Sequence, residues 1–194
     1  MGCDIHAYRE KFVDGQWQSV DKWTAYNYGD DDKGQRVEWK DCAYTGRNYD
    51  LFGLLSKGVR RNFEFGLPPR GLPFDASEQV LQEMDSWSPD GHGHSYLYLH
   101  ELKALRQWAN SNEIPIQGMM DHEQLARLRQ EMASPEPTFE NLYPYCGSTN
   151  NPRCVEFELD LPMALMVGKC LDELIHSFDG IDGENHRLVF FFDN

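Results

Sequence analysis

Asp4 and His6 stand two residues apart near the start of the chain, in Cys3-Asp4-Ile5-His6. On an extended strand residues i and i+2 share a face, so this carboxylate and this imidazole converge on one ligand. That pairing suits a divalent cation or acid–base work. A second group lies mid-chain in Asp90-Gly91-His92-Gly93-His94-Ser95, where glycines let the backbone approach a ligand and two histidines offer chelation or proton transfer. A third is Asp193-Asn194, placed directly after the apolar run Leu188-Val189-Phe190-Phe191-Phe192. A fourth is basic: Arg47, Lys57, Arg60, Arg61 and Arg70 are opposed within their stretch only by Asp50 and Glu64. Guanidiniums bind phosphate through paired N–H groups, so these arginines, with Tyr49 and Asn194, form a candidate anion site. For each group there is a plain structural alternative: Asp4 paired with a base, histidines in a solvated loop, Asp193-Asn194 as a frayed terminus, arginines balancing the protein's own acidic surface. Cys146 beside Gly147 is a candidate nucleophile, but its spacing suggests no partner histidine.

The spacing of these groups matches no zinc finger, HExxH or deaminase pattern. If a metal is bound, the candidate ligands are Asp4, His6, Asp90, His92 and Asp193. If cleavage is metal-free, His6, His92 and His94 are the candidate acid–base residues.

Bulk composition narrows the partners. The formal net charge is −14, and such a field repels long polyanions, so DNA or RNA binding is not expected. A small anion in a local basic pocket is still compatible with it. Five cysteines, an odd number without a CxxC pair, argue for reduced thiols and a cytoplasmic protein. The sequence has no long apolar run for a membrane span and no signal-peptide pattern, and His6 stands where an N-myristoylation signal needs Ser or Thr. No membrane partner is expected; homo-oligomers are compatible with the sequence.

The elements that must position these groups follow from periodicity. Residues 3–13 alternate as a strand, Asp14-Gly15 turns a hairpin, and 16–20 return. Residues 27–36, with Asp30, Asp31 and Asp32, read as a loop, followed by a short strand over 37–44. A helix is expected over 49–57, capped by Asn48 and stopped by Gly58. Residues 58–74 read as a loop, and Asp75 to Glu78 as a capping box opening a helix over 76–86. Residues 88–94 read as a loop, 96–99 as a short strand or an entry turn, 100–110 and 121–133 as helices. The prolines between 134 and 152 mark a loop or linker. Residues 154–160 alternate as a strand, Pro162 opens a helix reaching Ser177, and 188–192, apolar on both faces, form a covered central strand. The expectation is one α+β domain spanning 1–194, with a mixed or antiparallel sheet holding both terminal strands and packed by four to five helices.

Met1-Gly2-Cys3-Asp4-Ile5-His6, Arg47-Asn48-Tyr49-Asp50-Leu51-Phe52, Arg70-Gly71-Leu72-Pro73, Asp90-Gly91-His92 through His94-Ser95, and Phe191-Phe192-Asp193-Asn194 resemble a family of small phage and prophage proteins. That family opens with the same hexapeptide and closes on an aromatic-Phe-Asp-Asn. The resemblance implies an accessory role in a host cytoplasm, including the binding or destruction of a host nucleotide signal. Three functions are carried forward. One is a binding module for a small phosphorylated or nucleotide-like ligand, sequestering a host immune signal. The second is a phosphodiesterase-like hydrolase, metal-dependent or using histidine acid–base chemistry. The third is an acidic protein-interaction module.

Overall fold

The computed structural model describes residues 2–27, 33–60, 63–135, 152–183 and 185–194. Arg61, Cys146, the Asp30–Asp32 run and the prolines at 137 and 144 lie outside them. The chain divides into two compact units, one built from Met1–Ala104 with Cys170–Asn194, the other from Leu105–Lys169.

The first unit is organised on a four-stranded antiparallel sheet. Strand β1 (Asp4–Val13) turns through Asp14 and Gly15, both at positive φ, into β2 (Gln16–Ser19). The last strand, β8 (His186–Asp193), is fully buried up to Phe192, as its unbroken apolar run requires. It lies between β1 and the mid-chain strand β5 (His92–Tyr98), so the sheet order is β2-β1-β8-β5. The two chain ends are therefore hydrogen-bonded neighbours, with Asp4 opposite Asp193 and His6 opposite Phe191. The fold is α+β, with both terminal strands in one antiparallel sheet.

Both faces of this sheet are covered. Helix α2 (Glu78–Ser86) lays Val80 and Met84, one turn apart, with Ala76 onto Tyr8, Val189 and Phe191. Trp23 and Val37 pack on the same cluster from the antiparallel pair β3 (Trp23–Asn27) and β4 (Lys33–Val37). On the other face, Phe52 of helix α1 (Tyr49–Leu55) meets Phe192 at 5.1 Å. The first strand also carries a buried ion pair. Arg187 donates from Nε to Glu10 Oε2 at 2.8 Å and from Nη1 to Asp75 Oδ1 at 2.8 Å. The other Glu10 oxygen accepts the Ser77 N–H at 2.6 Å.

The second unit pairs β6 (Glu113–Asp121) with β7 (Cys154–Pro162), antiparallel along their whole lengths. Helix α4 (His122–Met132) is capped by Asp121, whose side chain accepts the Glu123 N–H at 2.8 Å. Helices α3 (Leu99–Ser111) and α5 (Met163–His176) each begin in one unit and end in the other.

Several sequence expectations are corrected here. The mid-chain histidines lie on strand β5 rather than in a loop, because buried β8 needs a backbone partner for the N–H and C=O groups of its second edge. The polar stretch before Val37 is strand β4, and residues 39–41 form a 3-10 turn instead of a strand. The capping box at Asp75–Glu78 does not form: Ser77 is the N-cap without a side-chain bond, and Asp75 binds Arg187. Cys154 is disulfide-bonded rather than a reduced thiol, while Cys3, Cys42 and Cys170 are free. No helix among the described residues is long and apolar enough to cross a membrane.

Candidate functional site

The β1–β8 register brings the first and third polar groups together at one end of the sheet. The Asp4 N–H donates to Asp193 Oδ1 at 3.0 Å. The other Asp193 oxygen lies 3.4 Å from His6 Nε2, an ion-pair distance without hydrogen-bond geometry, and Nε2 is buried with no hydrogen-bond partner. The imidazole ring is held on both sides, stacked on Phe191 at 4.6 Å and tilted against Trp87 at 4.2 Å. Trp87 is itself anchored through its ring N–H to Glu83, which also accepts the buried Tyr8 hydroxyl. Burial first, and the Glu83 carboxylate second, push the Tyr8 hydroxyl far up and keep it protonated.

Two arginines reach this end from separate loops. Arg47 makes a bidentate pair with Asp4, Nε to Oδ1 at 2.8 Å and Nη2 to Oδ2 at 2.5 Å, in a half-exposed position. The hydrogen bond and charge of Asp4 raise the guanidinium's pKa further, so it stays a cation at every pH of interest. Arg60 donates from Nη2 to the Gly2 carbonyl and to Asn194 Oδ1, the latter at 3.0 Å, and lies over the Tyr49 ring at 5.5 Å. Both guanidiniums meet at Gly2: a Cβ there would sit 2.8 Å from Arg47 Nη1, while the Gly2 carbonyl is held by Arg60. A side chain at this position would displace the tip of the Arg47 side chain. Arg60 itself has φ 58, a left-handed backbone unusual for a residue with a side chain. That turn, after Gly58 at φ 92, aims the arginine back at the termini.

Beneath the cluster, the Cys3 thiol is buried, and burial pushes its pKa up against the opposing pull of Arg60. Asn48 closes the start of α1 by accepting the N–H groups of Asp50 and Leu51. Helix α1 has seven residues and its first donors are taken, so it does not offer an anion-binding end.

The two mid-chain histidines separate. β5 pairs with β8 through a register shift between His92 and Ser95, with Gly93 at φ 63 in the bulge. His94 stacks on Phe191 at 5.4 Å, on the opposite side of that ring from His6. His92 lies beside Phe192 at 6.3 Å, on the sheet's other face. Burial first, and the charge of His92 second, hold the His94 imidazole below its ordinary pKa. His94, not His92, therefore shares a sheet face with His6, facing it across Phe191. Asp90 is exposed in the turn before β5, with its carbonyl 3.4 Å from His92 Nδ1. Among the described residues, no group of three or more His, Cys, Asp or Glu side chains could hold a metal ion.

Arg70 is elsewhere. Its guanidinium forks onto Glu101 at 2.8 and 2.6 Å and lies over Tyr96 at 5.3 Å. This is the acidic-surface pairing that the sequence offered as the alternative to ligand binding. Clefts lined by Gln117–Met119 with Glu156–Glu158, by Lys22, Thr24 and Glu38–Asp41, and by Gly15–Trp17 with Asp75–Glu78 contain none of the anticipated site residues. Sequence reasoning missed Trp87 and the Gly2 carbonyl. The helical spacing of Val80, Met84 and Trp87 was a signal for the first; a backbone oxygen leaves none. Comparison with known proteins adds nothing to this geometry: no family model, no curated protein and no solved structure matches.

Proposed function

We propose that the protein binds a small phosphorylated, nucleotide-like ligand at the sheet end where its two termini pair. Arg47 and Arg60 contact the phosphate, Tyr49 offers a ring for stacking, and His6 and Asn194 supply further hydrogen bonds. The observation that carries this reading is the meeting of two guanidiniums from separate loops at Gly2, in a chain of net charge −14. Concentrating cations there is costly unless a carboxylate or a ligand anion faces them. In the biological setting implied by the resemblance, the protein sequesters a host nucleotide signal in the host cytoplasm.

Cleavage is the second reading, favoured by the 3.4 Å approach of His6 to Asp193. A carboxylate beside an imidazole can orient it as an acid or base. Against a two-histidine mechanism stands Phe191, whose ring separates His6 from His94. The two imidazoles lie on either side of that ring instead of facing one open space.

Mass spectrometry of small molecules released from the purified protein tests the proposal, followed by calorimetric titration. Binding predicts a released phosphorylated compound that rebinds unchanged and binds weakly to Arg47→Ala and Arg60→Ala. A compound recovered cut after incubation moves cleavage to first place. No released compound and no heat with any nucleotide removes the proposal.

A further inference from the structure

Arg47 in this structure has already taken an oxyanion. Asp4 fills both N–H positions of its fork, through Nε and Nη2. A phosphate would use that same fork, since carboxylate and phosphate present two oxygens at similar spacing. Asp4 is not buried by this contact. Its side chain is 46% exposed and that of Arg47 51%, so the carboxylate can swing into water when displaced. Its backbone stays fixed meanwhile, because its N–H is bound to Asp193 and its strand is paired to β8.

The second guanidinium sets what can displace it. Arg60 holds the Gly2 carbonyl while Arg47 lies close to the Gly2 Cα, so an anion bound at Gly2 is near two cations. A phosphodiester has two free oxygens and one negative charge, the same charge as the carboxylate it replaces. A terminal phosphomonoester has three free oxygens and about −1.5 to −2 charges at neutral pH, enough to engage both forks. Asn194 accepts from Arg60, and that guanidinium lies over the Tyr49 ring, so both groups adjoin the second cation.

We propose that the ligand carries a terminal phosphomonoester, bound across Arg47 and Arg60 at Gly2, and that Asp4 is its internal stand-in on Arg47 when the site is empty. This rests on the ligand-binding reading above and names the ligand's chemical class. The step is an exchange of anions; no covalent bond forms or breaks.

The test is calorimetry with the four ribonucleoside 5′-monophosphates and their matched 3′,5′-cyclic monophosphates on the full chain. A monoester is expected to bind at least about tenfold more tightly than its cyclic counterpart. Its affinity should fall as pH drops through its second ionisation near 6, while a cyclic ligand shows no such fall. Asp4→Asn should tighten phosphate binding by about tenfold, and add nothing in an Arg47→Ala background. Circular dichroism of each variant establishes that it is folded. Equal affinity for monoester and cyclic forms overturns the inference while leaving ligand binding intact, as does a released natural ligand with only diester phosphates. An Asp4→Asn variant that is folded and no tighter overturns the stand-in role. No binding by any of these nucleotides, together with no phosphorylated compound released from the purified protein and no heat with any other nucleotide, removes both this inference and the reading beneath it.

Discussion

At the scale of single residues, the site depends on side chains held in unusual states. Arg60 occupies left-handed backbone, which costs a residue with a Cβ about 1 kcal/mol. Arg60→Gly removes the guanidinium and that strain together, whereas Arg60→Ala removes only the guanidinium. Chemical denaturation is therefore expected to find Arg60→Gly more stable than Arg60→Ala by about 1 kcal/mol. Calorimetry should find both equally weak for a nucleotide. If Arg60→Ala binds as tightly as the native protein, the contact to Asn194 is only structural. His94 gives a pH signature. Burial holds its folded pKa below the ordinary 6.5, so the unfolded chain takes up a proton first as pH falls. Its contribution to stability is full above 6.5 and is lost progressively below it, until the folded imidazole also protonates. Urea unfolding at pH 7.5 and 5.5 should show a smaller pH loss for His94→Asn than for the native chain. Identical losses would move the source of any acid sensitivity to other groups.

At the scale of elements, β5 extends the short strand expected over 96–99 back to His92, where the chain is tightly constrained. Its Gly93 has φ 63, and an added Cβ would meet Val59 Cγ2 at 2.8 Å and Phe192 Cδ2 at 3.1 Å. Gly93→Ala therefore combines backbone strain with overpacking and should cost about 2 kcal/mol, read as a lowered unfolding midpoint. A Val59→Ala change in the same chain should recover part of that loss; no loss at all would mean the bulge has room to spare. Glycine and two histidines in seven residues read as a loop, because strand propensity there is low. Backbone pairing with buried β8 overrides it, and that tertiary pairing is invisible in a local window. The same reason hides β6, where Pro115 and Gly118 break the alternation that Ile114, Ile116 and Met120 otherwise make. Elements whose signal is local were legible: the β1–β2 hairpin from Asp14-Gly15, α1 from Asn48, α4 from Asp121. Strand β8 was legible because five apolar residues in a row have few other destinations than a covered sheet centre.

At the scale of the whole molecule, the candidate site was half legible. Asp4, His6, Asp193 and Asn194 could be joined because both chain ends carried strand patterns beside polar residues. Arg47 and Arg60 stood out as cations in an acidic chain, but nothing in the sequence distinguished them from Arg70, whose partner Glu101 lies 31 positions away. Charge also acts over the molecule as a whole. An anionic ligand approaches a chain of net charge −14 and feels repulsion long before it reaches two guanidiniums already paired to a carboxylate and a carbonyl. At about 10 mM salt the screening length is roughly 30 Å, so this repulsion reaches well beyond the surface; at about 150 mM it is roughly 8 Å. Contacts inside the bound complex are short and are screened much less. The association rate for a nucleotide monophosphate should therefore rise as salt increases over that range, with the dissociation rate changing less. A protein that captures anions with a net basic surface shows the opposite slope. Stopped-flow measurement of both rates decides it. A falling association rate would mean that the guanidiniums at Gly2 dominate the field along the ligand's path, and that the acidic charge lies away from it.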